Sequence, residues 1–340
     1  MKIERFKDLK DFNSFKISVK ANYFIELTNT DDFYSFFKIK NELPKPWYIL
    51  GGGNNSLFIN DFKGSIIKIS NQGINVLNEN NEDITLEIQA GVDWNYLVDM
   101  CISKGYYGLE NLIDIPGQVG SAPIQNIGAY GAEVKNVIQS VNYFDLNDGK
   151  FINFSNSDCH FEYRSSIFKN ELNGKGIINS VIMKLGKSKK LNYDYGTIKQ
   201  SLQEQGITNP TQKQLAETIS NIRSSKLPDP KIIGNAGSFF KNPVIDLSGY
   251  NRLKEKYPEA VAFKLPGEMY KIAAGWMIDK AGWKGKEMGN VAVHPKQALV
   301  LINKTGFAQG KEVKKLAQRI INDVLNKFDI KLEAEVNIIY

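Results

Sequence analysis

The sequence predicts an α+β fold with several mixed sheets rather than one doubly wound sheet. Three observations lead there. Short strand patterns crowd the first ninety residues without the regular helix between strands that a βαβ series requires. A glycine-rich loop at Gly51 to Ser56 runs into another strand pattern instead of opening a helix. The chain closes with one long amphipathic helix and a single strand.

Taken in order, Trp47 to Leu50, Leu57 to Ile59 and Ile66 to Ile69 read as strands, and Ile84 to Ala90 alternates apolar with polar residues as a half-buried strand does. Asp93 begins a helix with Trp94, Leu97 and Val98 on one face, ending near Gly105. Residues 108–131 are rich in glycine, and strand pattern returns from Val141 to Phe154. Asn209 and Pro210 form an N-cap and first-turn pair for a helix carrying Leu215, Ile219 and Ile222. Pro228 and Pro230 end it and mark a domain junction. A further helix is expected from about Tyr270 to Ala281. The last helix lines up Val313, Leu316, Ala317, Ile320, Ile321, Val324, Leu325 and Phe328, and Glu335 to Ile339 forms the closing strand.

Composition narrows the function. With 340 residues, 42% hydrophobic and 24% charged, the chain has room for two or three globular domains. It lacks both an apolar run of membrane-span length and an apolar stretch behind its N-terminal residues, and its two cysteines, Cys101 and Cys159, suit a reducing cytoplasm. The net charge of +6 favours anionic small molecules, while the one dense basic run, Lys184 to Lys190, reads as a solvated loop rather than a nucleic-acid surface. Only His160 and His294 are present, so zinc chemistry and histidine triads have little to work with, and no metal site is expected. Proton transfer must rely on Ser, Tyr, Lys or carboxylates, or a cofactor must supply the chemistry.

The loop Gly51, Gly52, Gly53, Asn54, Asn55, Ser56 nearly matches the dinucleotide fingerprint, yet the helix and the acidic residue about twenty places on are missing. It is better read as a strand–turn–strand whose backbone amides cradle a phosphate, a tight hairpin being the plain alternative. Its partner is Ile115 to Gly131. There Pro116, Gly117, Gly120, Ser121 and Gly128 let backbone approach a ligand, and Gln125 and Asn126 offer amides to a heterocyclic ring.

These stretches, with Tyr163 to Lys169, Lys226 to Pro230, Gly234 to Pro243, Ala273 to Trp276 and His294 to Asn303, resemble the UDP-N-acetylenolpyruvoylglucosamine reductase family in order along nearly the whole chain. The resemblance implies a three-domain flavoprotein whose FAD domain is of the p-cresol methylhydroxylase type, not Rossmann. The domains would be 1–70 with 331–340, then 71–210 with a substrate loop at about 187–209, then 211–330. It implies non-covalent FAD, reduced by NADPH, that delivers hydride to UDP-N-acetylglucosamine enolpyruvate and yields UDP-N-acetylmuramate for peptidoglycan. A cytoplasmic monomer is expected.

Carried over residue by residue, Arg164 matches the catalytic arginine, Ser238 the proton donor, and Glu335 a second acidic group, with Glu333 the alternative two places away. Tyr130 and Tyr195 match tyrosines of the type that keeps the substrate loop. Lys226, Asn242 and Gln297 match substrate contacts, and Arg223 a cofactor contact. The family often has arginine where this chain has Asn337. Two other readings are a related FAD oxidase, and a colourless binding module for sugar nucleotides.

Overall fold

The computed structural model describes residues 1–188 and 191–340, so Lys189 and Lys190 of the basic run and of the expected substrate loop lie outside the described residues. The chain forms two compact units. The first comprises Met1–Lys7, Ala21–Gly52 and Lys63–Ser225, and the second Asp8–Lys20, Gly53–Phe62 and Lys226–Tyr340.

A four-stranded sheet and a five-stranded sheet build the first unit. In the four-stranded sheet Trp47–Leu50 runs parallel to Phe62–Ile69, with Leu50 opposite Lys68. In the five-stranded sheet Gly176–Gly186 lies between Ile138–Asp145 and Asp83–Gln89, antiparallel to both. One apolar core joins them, from Ile25 and Phe33 through Ile88, Trp94 and Val181 to Leu215 and Ile219. The helix Trp94–Ser103 starts where the sequence placed it, because the Asp93 carboxylate accepts from the Tyr96 amide at 2.9 Å.

The second unit carries the sheet formed by Gly234–Ser238, Val300–Asn303, Val291–Val293 and Glu287–Met288, and a small three-stranded sheet. Its long helix, Gly310–Phe328, buries Val313, Leu316, Ala317, Ile320, Val324 and Phe328. Leu325, expected on that stripe, is 38% exposed at its edge. The closing strand Asn337–Ile339 pairs in parallel with Ser56–Phe58.

Two expectations fail for identifiable reasons. The helix after residue 209 begins at Gln212, because the capping pair is Thr211 with Gln214 rather than Asn209 with Pro210: the Thr211 amide donates to Gln214 Oε1 at 2.9 Å and the Gln214 amide to Thr211 Oγ1 at 3.2 Å. Residues 270–281 are not one helix. Met269–Ile272 is a strand between Val244–Asp246 and Ala262–Leu265, and the helix Ala274–Lys280 follows. Pairing with the hairpin neighbour Ala262–Leu265 on one side and the distant strand Val244–Asp246 on the other settles that segment, and helical periodicity does not contain it.

Candidate active site

In the first unit the second glycine stretch is pinned by backbone bonds to the turn that ends the strand Asp83–Gln89. The Val119 amide donates to Val92 O and the Gly120 amide to Ala90 O, both at 2.9 Å, and Trp94 N donates to Gly117 O at 3.0 Å. A Cβ on Gly120 would stand 2.5 Å from Ala90 Cβ. That glycine therefore serves close packing rather than ligand approach. Gly117 adopts φ +147°, where other residues are strained. Ser121 Oγ donates to Gln118 O at 2.7 Å and caps the short turn between them.

Asn126 corrects the sequence reading. Its amide nitrogen donates to Glu133 Oε2 and Glu162 O at 3.0 Å, and its oxygen accepts from Lys135 N at 3.2 Å. The side chain is fully buried, at φ +44°, and its hydrogen-bonding capacity goes to the protein rather than to a ring.

Around this stretch the structure gathers residues far apart in sequence. Arg164, itself at φ +55°, donates from Nη2 to Gly128 O at 2.7 Å and lies over the Tyr163 ring. Tyr130 and Tyr195 meet edge to face, 5.6 Å between centroids. Arg223 brings its charge beside the Tyr130 phenol and donates from Nη2 to Asp114 O at 3.0 Å. Burial raises the Tyr130 pKa, with the Arg223 charge opposing, and burial lowers that of Arg223. The residues expected to form a substrate loop contain the helix Gly196–Glu204, with Tyr195 at its start.

Sequence reasoning missed two neighbours. Lys68 Nζ donates to Ile69 O at 2.8 Å and to Gln118 Oε1 at 3.3 Å, and Gln118 Nε2 donates to Gly91 O at 3.0 Å. The available signal was a lysine interrupting the otherwise apolar run Ile66, Ile67, Ile69. Burial pulls its pKa down to about 8, with the Glu26 carboxylate opposing.

In the second unit Ser238 ends the strand Gly234–Ser238, opposite Val300. The register slips between Asn235 and Ser238, and Gly237 in that bulge has φ +67° with open space where a Cβ would be. Asn235 fixes the approach, accepting from Gly237 N at 2.9 Å and donating to Pro228 O at 3.2 Å and Ile233 O at 2.8 Å. Among the described residues, the Ser238 hydroxyl has no hydrogen-bond partner.

Glu335 N donates to Phe239 O at 2.8 Å, which holds Glu335 beside the residue that follows Ser238. Glu333 is exposed and pairs with Lys241 at 3.5 Å, which sets it apart from half-buried Glu335. Asn55 Nδ2 donates to Glu335 O at 3.2 Å, and Asn337 N to Asn55 O at 3.0 Å. Gly53 belongs to this unit: a Cβ there would stand 2.0 Å from Phe12 O, so close packing alone demands glycine. Asn242 Oδ1 accepts from Ala274 N at 2.9 Å, and Gln297 Oε1 lies 3.3 Å from where a Gly275 Cβ would be. Lys226 is exposed at the end of the helix Gln212–Lys226.

Comparison with known proteins places this arrangement. Residues 229–339 match the model of the UDP-N-acetylenolpyruvoylglucosamine reductase C-terminal domain, and residues 21–155 an FAD-binding domain. Reductases of that name from Pseudomonas aeruginosa, Bdellovibrio bacteriovorus and Flavobacterium johnsoniae are 39%, 42% and 41% identical to the chain. The alignments cover 99%, 98% and 100% of it and 99%, 99% and 100% of those proteins, respectively. The chain belongs to the UDP-N-acetylenolpyruvoylglucosamine reductases. The crystal structure of such a reductase from Thermus caldophilus shares its fold, with a TM-score of 0.69 at 22% identity and full coverage of both chains. The FAD domain is accordingly of the p-cresol methylhydroxylase type, with the strand Ser56–Phe58 where a Rossmann fold has its helix.

The residues present fit FAD. Arg223 Nε is buried with no partner among the described residues, beside Tyr130, and a ring with acceptor atoms would satisfy it. Gly51 and Gly117 would offer backbone to a diphosphate, whereas the amides of Val119, Gly120 and Ser121 are already spent on Val92 O, Ala90 O and Gln118 O. No helix is long and apolar enough to cross a membrane, and no cluster of metal-ligating side chains exists among the described residues.

Proposed function

We propose that this chain reduces UDP-N-acetylglucosamine enolpyruvate to UDP-N-acetylmuramate in peptidoglycan precursor synthesis, using NADPH through FAD. The observation that carries the reading is the full-length identity to reductases of that name. Bound FAD would supply the hydride-transfer chemistry between NADPH and the enolpyruvyl group.

The chain's own residues manage charge and protons. Hydride addition to the enolpyruvyl group leaves negative charge on the carbon beside its carboxylate. Arg164 is assigned to that carboxylate, because a planar fork binds it bidentately and stabilises the developing charge. What supports this is its anchoring to the Gly128 carbonyl, which fixes the guanidinium. Ser238 is assigned as proton donor to the same carbon, a role favoured by a hydroxyl with no hydrogen-bond partner among the described residues. Glu335 is assigned to polarise the substrate carboxylate. Tyr130, Tyr195, Lys226, Asn242 and Gln297 are assigned to the UDP-sugar, with Tyr195 on the diphosphate.

The three-domain division is retained in this reading, supported in part by the separate four- and five-stranded sheets. So are a monomer and a cytoplasmic location, the first checked by light scattering. The decisive experiment is anaerobic. NADPH should bleach the yellow flavin band, and the enolpyruvyl substrate should restore it. A colourless protein, or one recoloured only by oxygen, would overturn the reading in favour of a binding module or an oxidase.

A further inference from the structure

Lys68 sits where Gly51, in the first unit, approaches the second glycine stretch. It lies opposite Leu50, the residue before Gly51, in the parallel pairing of the strands Trp47–Leu50 and Phe62–Ile69. Its ammonium donates to Gln118 Oε1 at 3.3 Å, and that same oxygen is 3.4 Å from where a Gly51 Cβ would stand, with Ser121 Cβ 3.7 Å from the same point. Glycine at position 51 thus keeps the space over the Lys68–Gln118 pair clear.

An ammonium has three donors. Two are taken, by Ile69 O and Gln118 Oε1. The third has no acceptor among the described residues, and there Lys68 makes no ion pair. A largely buried cation without a carboxylate partner is costly unless an anion joins it. Glu26 is the one carboxylate that raises its pKa from a distance, and the Glu26 Oε1 atom already accepts from Ser70 Oγ at 2.7 Å. Burial brings the lysine pKa down to about 8, the signature of a charge kept without compensation.

We infer that Lys68 is the buried counter-charge of the FAD diphosphate in this chain, acting from beside Gly51 and Gln118. The inference rests on the FAD reading above and adds a residue that its glycine motifs do not contain. Two consequences separate it from a structural role. Without FAD the ammonium is a burden, so an apolar replacement leaves the apoprotein as stable or more so. With FAD the same replacement removes a charge-assisted hydrogen bond, and affinity falls.

The test uses the full-length apoprotein titrated with FAD, read by quenching of flavin fluorescence, with the apoprotein melting temperature measured alongside. Lys68→Met and Lys68→Gln should weaken FAD binding by roughly tenfold to a hundredfold, the scale of one charged hydrogen bond. Lys68→Arg should restore most of it, and the neutral variants should show a shallower loss of FAD affinity with added salt. FAD affinity within twofold of the unmodified chain in both neutral variants would overturn the inference, as would their failure to fold, which would make Lys68 structural. If the unmodified apoprotein bound no FAD, the cofactor reading itself would fall instead.

Discussion

The stretch from Ile115 to Gly131 in the first unit and the stretch from Gly234 to Asn242 in the second are both rich in small and amide residues, yet they spend them differently. In the first, Gly120 is pressed against Ala90, the Ser121 hydroxyl caps its own turn, and the Asn126 amide is consumed by Glu133, Glu162 and Lys135. In the second, Gly237 borders open space and the Ser238 hydroxyl has no partner among the described residues, while Asn235 and Asn242 are tied down on either side. The contrast separates holding from reacting. A cradle gains by satisfying every polar group it buries, whereas a proton donor must keep its hydroxyl uncommitted until substrate arrives.

Several measurements can break or sharpen that division. The largest effect should come from Ser238→Ala. Reoxidation of the reduced enzyme by the enolpyruvyl substrate should slow by roughly 10²- to 10⁴-fold while bleaching by NADPH is unchanged. Equal slowing of both half-reactions in rapid mixing would make Ser238 structural and erase the contrast.

Gly120→Val should destabilise the first unit by about 1–3 kcal/mol or more, because the branched side chain overlaps Ala90. An unchanged melting curve would show that the stretch is looser than its packing implies. Asn126→Ala should cost about 1–3 kcal/mol, since it strips partners from buried backbone groups. Calorimetry reads it, and a mutant that lost flavin without losing stability would return Asn126 to the ligand.

Lys68 offers a test by pH. Its pKa in the folded chain, about 8, lies below the ordinary lysine value of 10.5, so between those values the unfolded chain binds more protons. Stability of the apoprotein should therefore rise with pH across that window, with a contribution that Lys68→Met removes. Parallel pH curves for the two proteins would contradict the burial of the charge. The smallest effect is expected from Thr211→Ala, about 1 kcal/mol, because it removes one end of a helix cap.

Much of the fold was legible. The strands around Trp47, Ile66, Ile84 and Val141, the Asp93 cap and the final helix all follow from local alternation, capping chemistry and a 3.6-residue period. The errors came where that information runs short. A Thr-x-x-Gln cap competed with an Asn-Pro pair two residues earlier, and Tyr270 joined a sheet between a hairpin neighbour, Ala262–Leu265, and the more distant strand Val244–Asp246. In the site, the glycine motifs and the resemblance they carry pointed to Arg164, Ser238 and Glu335. They were silent on Lys68 and Gln118, and they gave the Asn126 amide to a ring when its partners are protein groups.

The sequence alone determined the family, the absence of a Rossmann helix after Gly51, and which residue types could handle a carboxylate and a proton. Those features are written in short contiguous motifs, whose chemistry depends on neighbours in the chain. Only the tertiary structure decided which glycines pack and which leave space, that Tyr130, Tyr195 and Arg223 cluster, and that a lysine in an apolar strand is buried beside the second glycine stretch. Each is settled by close packing and desolvation between residues far apart in the chain, which no local pattern records.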